Sequence, residues 1–166
     1  GFPDALTPAL NTTPDAIDLQ QRLALYRRQG AAACAMEVSS HGLAQGRLNG
    51  TTFNVAVLTN LSRDHLDYHG DMDSYADAKA RLFSWPGLEW VVVNVDDAFG
   101  QRLESETRPA RVAGYGFQRG AVVSEKLRLS QAGLHLAVRT DWGNAEIDAP
   151  LLGRFNATNL LAVLAT

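Results

Sequence analysis

Short apolar runs alternate with helix-like segments along the first two thirds of this chain, and that alternation restricts the fold more than any other feature. Strands are predicted at 32–38, 53–59, 90–95 and 112–115, and helices at 14–28, 74–83 and 98–103. An alternation of strands and helices along the chain is typical of a parallel sheet covered by helices. We therefore predict an α/β fold with a doubly wound, mostly parallel sheet.

The first helix has recognisable start and stop signals. Thr13 is a suitable N-cap, Pro14 suits the first helical position, and Gly30 is a suitable stop. A partly apolar face is expected from Ile17, Leu19, Leu23, Leu25 and Tyr26. A doubly wound sheet would also have a strand before this helix, and none is evident in the sequence.

From Val122 the pattern changes to alternating apolar and polar residues. Three strands at 122–129, 134–139 and 145–147, separated by turns at 131–133 and 141–144, predict a small antiparallel meander. A last helix at 156–164 would have an apolar face of Leu160, Leu161 and Leu164 with no later element to cover it. We therefore expect a single domain, truncated at both ends, from a longer protein.

Composition excludes several classes of protein. With 15 Lys and Arg against 18 Asp and Glu, the net charge of −3 argues against a nucleic-acid surface. The single cysteine, Cys34, lies in the predicted strand 32–38, where a small buried hydrophobe and a reducing, cytoplasmic environment are expected. No membrane span of roughly 20 apolar residues and no signal peptide is recognisable.

Polar side chains cluster where two predicted strands end. The segment 60–70, NLSRDHLDYHG, follows one strand, and Glu37, Ser39 and His41 follow another. Open α/β sheets bind ligands just beyond the carboxyl ends of their strands. Two carboxylates and two imidazoles in 60–70 predict a metal or phosphate site at this edge of the sheet.

Several motifs together resemble the central, ATP-binding domain of the bacterial Mur ligases. They are NTT at 11–13, MEVSSHGL at 36–43, TNLSRDHLDYHG at 59–70, YADAK at 75–79, NVDD at 94–97 and GRFNATN at 153–159. The resemblance extends over nearly the whole chain in the same order. Within the family it is strongest to the enzymes that add the third amino acid of the muramoyl peptide.

The resemblance implies an ATP-dependent amide ligase of peptidoglycan precursor synthesis. In that reaction the carboxylate of UDP-MurNAc-L-Ala-D-Glu takes the γ-phosphoryl group of ATP, and the amine of meso-diaminopimelate or L-lysine attacks the acyl phosphate. Magnesium would neutralise the charge that this brings together. The expected cofactors are Mg²⁺ and ATP, and the expected partners are these small molecules, with no nucleic acid.

The same resemblance assigns roles to individual residues. It makes Glu37, His65 and Lys79 metal-site residues, with Lys79 carbamylated and both His65 and Lys79 catalytic. It assigns substrate binding to Asn11, Thr12, Thr13, Ser39, Gln45 and Arg47, and nucleotide binding to Asn156, Asn159 and Asp97. Asp64, Asp67 and His69 are expected to have structural roles.

Three elements of the family pattern are missing. The glycine-rich phosphate loop ending in Gly-Lys-Thr has no counterpart here, nor do the N-terminal uridine domain and the C-terminal amino-acid domain. We therefore expect residues 1–166 to be a central-domain fragment that is inactive alone and requires the other domains of the same polypeptide.

Simpler interpretations remain open at this stage. Thr12, Thr13 and the two asparagines could serve only as helix caps, Lys79 could be a surface lysine, and Arg47 could form a surface salt bridge. The function could instead be that of a folylpolyglutamate synthetase-type ligase or a binding module. A divalent-metal hydrolase is also possible, built from Glu37 and the Asp and His residues of 60–70.

Overall fold

The computed structural model describes residues 11–108 and 110–166, which form two compact units. Of the described residues, 11–52 and His65–Leu82 belong to the first unit, and Phe53–Asp64 and Phe83–Thr166 to the second. The elements in chain order are α1 (Ala16–Arg28), α2 (Ser40–Ala44), β1 (Val55–Leu58), α3 (Leu66–His69), α4 (Met72–Phe83), β2 (Trp90–Asn94), α5 (Ala98–Glu106), β3 (Arg111–Gly116), β4 (Val122–Ser130), β5 (Gly133–Thr140), β6 (Gly143–Ala149) and α6 (Arg154–Leu164).

The second unit is built on one six-stranded sheet in the order β1-β2-β3-β4-β5-β6. Strands β1 to β4 pair in parallel, and β4, β5 and β6 pair antiparallel. The apolar run of β2 is the centre of the parallel part, where Val91, Val92 and Val93 are almost fully buried. The predicted mixed sheet and the antiparallel meander are both confirmed.

Helices cover both faces of this sheet. Val92 and Ala113 pack with Leu161 of α6 in one apolar core. Successive residues of a strand face opposite sides of the sheet, so Gly114 faces away from the side of Ala113. On that other face Gly114 lies next to Glu104 of α5. The expectation that Leu160, Leu161 and Leu164 lack a covering element is wrong for Leu161, which is 0% exposed because α6 packs back on its own sheet.

In the first unit, α1 begins two residues later than predicted. Its N-cap is Asp15, whose carboxylate accepts hydrogen bonds from the N–H groups of Ile17 and Asp18, so the prediction of Thr13 as N-cap is wrong. The predicted end is confirmed, since the helix stops at Arg28 and Gly30 has a φ of +85°. Of the predicted apolar face only Leu19 is buried, and Ile17 is 73% exposed.

The strand predicted at 32–38 is wrong. Within the described part of the chain, this segment belongs to no strand, and Cys34 is exposed instead of buried. The run is rich in alanine, a residue with low β propensity and little surface to bury, so its apolar composition alone does not hold it in a sheet. None of the described helices is long and apolar enough to span a membrane.

Candidate functional site

A hydrogen-bond network in the first unit joins four of the predicted substrate residues. Thr13 is 0% exposed; its Oγ1 donates to the carbonyl oxygen of Glu37 at 3.1 Å and accepts from the Ser39 N–H at 2.8 Å. The Arg47 guanidinium donates from Nη1 to the Thr13 carbonyl oxygen and from Nε to Oε1 of Gln45, both at 2.8 Å. Thr13 and the 39–47 segment, 26 to 34 residues apart in sequence, therefore lie together, and their substrate-binding role stays a prediction.

Helix α2 is positioned against this network by its N-terminus. The Ser39 hydroxyl is the N-cap side chain of α2 and accepts from the Gly42 N–H at 3.0 Å. Gly42 is buried so close to Thr13 that a Cβ atom there would lie 2.8 Å from the Thr13 methyl carbon. Only glycine allows this approach without displacing Thr13.

Three of the other predicted residues of this unit present side chains at its surface. Asn11 and Thr12 are exposed, and so is Glu37, although the backbone carbonyl of Glu37 is held by Thr13. An exposed carboxylate and hydroxyl are available to a ligand. The assignment of Asn11, Thr12 and Glu37 to ligand binding stays a prediction.

Aromatic rings and imidazoles form a second group in the first unit. The ring centroid of His41 lies 4.9 Å from that of His65, 5.5 Å from that of His69 and 4.2 Å from that of Tyr68. The Tyr68 hydroxyl also accepts from Nε2 of Gln45 at 3.4 Å. The sequence analysis singled out His41 and assigned no role to it, but the structure makes its ring the centre of this group.

His69 is held inside the group by a side-chain hydrogen bond. Its Nε2 lies 2.8 Å from the buried Ser40 hydroxyl, and its ring stacks on Tyr75 at 5.3 Å. Burial, with the nearby His41 and His65, lowers the pKa of His69 from its ordinary value. A neutral imidazole packed in this way fits the structural role predicted for His69.

Two of the predicted metal-site residues, Lys79 and His65, lie near the ring of Tyr75. Nζ of Lys79 lies 5.3 Å from the centroid of Tyr75, and the His65 ring lies 6.0 Å from it. His65 also has the left-handed φ of 54°, uncommon for a residue with a side chain, at the start of α3. The sequence analysis missed Tyr75, although it lies in the quoted YADAK motif.

The donor set fits a magnesium site only in part. Among residues 11–108 and 110–166, no three His, Cys, Asp or Glu side chains are grouped to hold a metal ion. Glu37 and His65 supply one carboxylate and one imidazole, and a hard cation prefers more oxygen ligands than that. A carbamate on Lys79 would be a further oxygen donor. The alternative of a divalent-metal hydrolase would also need such a group of metal ligands, and none is present among the described residues.

In the second unit, side chains at the end of β2 hold the polar segment that follows β1. Both Asp97 oxygens are used: Oδ1 accepts from the N–H groups of Phe99 and Gly100, and Oδ2 accepts from the Leu61 N–H at 3.2 Å. Nδ2 of the buried Asn94 donates to the Thr59 carbonyl at 2.9 Å. The structure thus gives Asp97 an internal role, and its nucleotide role stays a prediction.

Tyr115 bonds the last residue of β1, just before that polar segment. Its hydroxyl donates to the Leu58 carbonyl at 2.9 Å, and the residue is 0% exposed. Burial, and secondarily the charge of Asp97, raises the pKa of Tyr115 far above its ordinary value, so the phenol stays protonated as a donor. No sequence pattern pointed to this residue.

Two of the predicted nucleotide-binding residues, Asn156 and Asn159, lie on α6. Nδ2 of Asn156 donates to the Leu152 carbonyl oxygen at 2.8 Å, and Asn159, one turn later, is exposed. Arg154, at the start of the same helix, places its guanidinium 3.6 Å from the centroid of the Phe117 ring. An exposed amide such as that of Asn159 can both donate to and accept from the edge of a heterocyclic base.

The second unit has an α/β fold in which Asn94 and Asp97 place hydrogen-bonding side chains at the end of the parallel strand β2, the kind of place where open α/β sheets bind ligands. The family model described as the Mur ligase middle domain matches residues 3–166, so the chain belongs to the Mur ligase family.

Relatives and solved structures agree with this family. The chain is 54% identical over 99% of its length to the UDP-N-acetylmuramoyl-L-alanyl-D-glutamate--2,6-diaminopimelate ligase of Alkalilimnicola ehrlichii, and 48% identical over 99% to that of Pseudomonas aeruginosa. A solved structure of an enzyme of that name has a TM-score of 0.89 at 40% identity, covering 99% of this chain and 34% of the other. The chain spans 34% of the length of both relatives.

A more distant structure shares the fold alone. The FPGS-AMPPCP-folate complex has a TM-score of 0.64 at 20% identity, covering 90% of this chain and 40% of the other. An identity this low does not support a folylpolyglutamate-type function over that of the relatives at 48% and 54%.

Proposed function

We propose that this chain is the central domain of an ATP-dependent ligase that joins meso-diaminopimelate to UDP-MurNAc-L-Ala-D-Glu in the cytoplasm. The observation that carries the proposal is the 54% identity, over 99% of the chain, to a ligase whose name states that reaction. The joined network of Thr13, Ser39, Gln45 and Arg47 supports it, since it groups residues that the family assigns to one substrate.

Arg47 is the residue proposed to face an anionic part of the muramoyl peptide. A guanidinium has five N–H donors, and hydrogen bonds to Gln45 and Thr13 use two of them. Those two contacts fix the plane of the group, and the remaining donors can meet a carboxylate or phosphate. Because the side chain is already oriented, less conformational entropy is lost when substrate binds.

Glu37, His65 and Lys79 are proposed to hold magnesium, which would neutralise the phosphate and carboxylate charges as they approach. A lysine must be deprotonated part of the time to accept carbon dioxide as a carbamate. Asn156 and Asn159 are proposed to bond the adenine edge. These assignments rest on the family resemblance, with the shared position of His65 and Lys79 beside Tyr75 as structural support.

A domain exchange tests the proposal. This chain would replace the segment that it matches in the Pseudomonas aeruginosa ligase. The rest of that ligase would supply the remaining two thirds of the hybrid. We expect the purified hybrid to release ADP and form the muramoyl tripeptide when UDP-MurNAc-L-Ala-D-Glu, ATP and meso-diaminopimelate are all present. The unmodified ligase is the control. A folded hybrid that binds the muramoyl substrate and ATP and forms no tripeptide would contradict the proposal.

A further inference from the structure

The turn that follows α2 contains the single Asn-Gly pair of the sequence, Asn49-Gly50. Every other asparagine precedes Thr, Val, Leu or Ala. The side-chain amide of an asparagine can react with the backbone nitrogen of the next residue, and glycine hinders this approach least because it has no side chain. None of the binding or metal roles described above involves this pair.

Two successive tight turns hold the pair at the surface of the first unit. The Asn49 N–H donates to the Gly46 carbonyl at 3.1 Å, and the Thr51 N–H donates to the Leu48 carbonyl at 3.0 Å. Asn49 and Gly50 are therefore the two central residues of the second turn, and both are exposed. Gly50 has a φ of +80°, a left-handed value that favours glycine at the third position of such a turn.

The two groups that would react with each other are not held by other bonds. Among the residues that the structure describes, neither the Gly50 N–H nor the side-chain amide of Asn49 forms a hydrogen bond. The exposed Asn54 differs on both counts, because its Nδ2 donates to Oε1 of Glu89 at 2.8 Å and the residue after it is a valine. Asn49 therefore combines an unbonded side chain with an unhindered neighbour.

We propose that Asn49 is a site of spontaneous deamidation. The Gly50 nitrogen attacks Cγ of Asn49 and closes a succinimide ring, while the bond from Cγ to Nδ2 breaks. The Gly50 amide proton passes through solvent to the leaving NH2 group, which departs as ammonia. Water then opens the ring at either carbonyl and gives aspartate or isoaspartate. The net reaction consumes one water, releases one ammonia and adds one negative charge to the turn.

The new charge would lie close to Arg47, the residue proposed to face an anionic part of the muramoyl peptide. The Asn49 side chain lies over Gly46, since a Cβ atom on Gly46 would be 2.9 Å from Nδ2 of Asn49, and Gly46 directly precedes Arg47. A carboxylate in this turn would compete with the substrate anion for the guanidinium. This consequence rests on the ligase function proposed above. The deamidation does not, because it needs only groups of this chain and water.

Mass spectrometry of the full 166-residue chain tests the deamidation. The folded chain would be incubated in mildly alkaline buffer and digested at intervals. We expect the Asn49 peptide to gain the mass difference between NH2 and OH at least about tenfold faster than the peptides with the exposed Asn54 and Asn144. Asn49→Gln, whose longer side chain closes the ring less readily, should show almost no gain. Equal rates at Asn49 and Asn144, or conversion of Asn49 in urea but not in the folded chain, would overturn the proposal.

Steady-state kinetics of the hybrid ligase test the consequence for substrate binding. Asn49→Asp reproduces the aspartate product, and Asn144→Asp is the matched control, which adds the same charge to an exposed strand residue of the second unit. Asn49→Asp should raise KM for the muramoyl substrate about two- to fivefold and leave KM for ATP unchanged. Asn144→Asp should change neither constant.

Equal KM values in Asn49→Asp and the native hybrid would overturn the effect on Arg47. If the native hybrid folds but is inactive, the ligase function fails, and the mass measurements still decide whether Asn49 deamidates.

Discussion

Asp97 makes two kinds of contact, and substitution can separate them. Oδ1 caps α5 through Phe99 and Gly100, while Oδ2 accepts from the Leu61 N–H and holds the polar segment after β1. Asp97→Ala removes both contacts. Asp97→Asn keeps a capping oxygen, and the amide nitrogen that replaces the other oxygen cannot accept from Leu61.

The expected magnitudes follow from these contacts. Losing a helix N-cap costs about 1 kcal/mol, and the 3.2 Å bond to a half-buried carboxylate contributes about 1 kcal/mol more. Asp97→Ala should therefore lower the free energy of unfolding by about 2 kcal/mol, and Asp97→Asn by about 1 kcal/mol. With an m-value of about 2 kcal/mol/M, the urea midpoint of Asp97→Ala should fall by about 1 M.

Asp15 provides a matched control, because it caps α1 through Ile17 and Asp18. Asp15→Ala should cost about 1 kcal/mol and Asp15→Asn almost nothing, since Asn and Asp cap equally well. Urea unfolding followed by far-UV circular dichroism measures all four variants. Hydrogen exchange then locates the effect: in Asp97→Asn the Leu61 amide should exchange faster, with the Phe99 amide unchanged. Equal stability of Asp97→Asn and the native chain would refute the contribution of Leu61.

Three further predictions concern the core, pH and the metal site. Leu161→Ala, which opens a cavity under α6, should lower the free energy of unfolding by about 2 to 5 kcal/mol in urea titrations, whereas Val163→Ala on the 71% exposed face should change it by less than about 0.5 kcal/mol. Because the pKa of His69 is lowered from 6.5, the folded state binds fewer protons than the unfolded state, so stability should fall as the pH drops below about 6.5 and level off beneath the lowered pKa. Urea midpoints between pH 8 and 5 measure this fall, and His69→Asn should flatten it; an unchanged slope would contradict the assignment to His69. Lys79→Ala should abolish turnover of the hybrid ligase by removing the carbamate, with partial recovery on adding short-chain carboxylates; near-native turnover would identify Lys79 as a surface lysine.

The sequence alone determined most of the sheet. The runs at β1, β2 and β3 and the alternating strands β4 to β6 were predicted close to their observed bounds, because apolar periodicity and glycine-containing turns are local signals. The family was also identifiable from sequence, since several motifs, among them SSHG and DHLDYH, together resemble the Mur ligases. The signals for the sheet lie within a few neighbouring residues, whereas the signal for the family lies in the order of its motifs along nearly the whole chain.

Only the tertiary structure decided which of these residues are buried and what they contact. Thr13 suits a helix cap in the sequence, but its hydroxyl bonds Glu37, 24 residues away, and Asp15 caps the helix instead. The Tyr115 hydroxyl meets a carbonyl 57 residues away, and segment 32–38 looks like a strand but does not pair as one in the described chain. The physical reason is that burial and the partners of polar groups depend on chain segments distant in sequence, which local propensity does not contain.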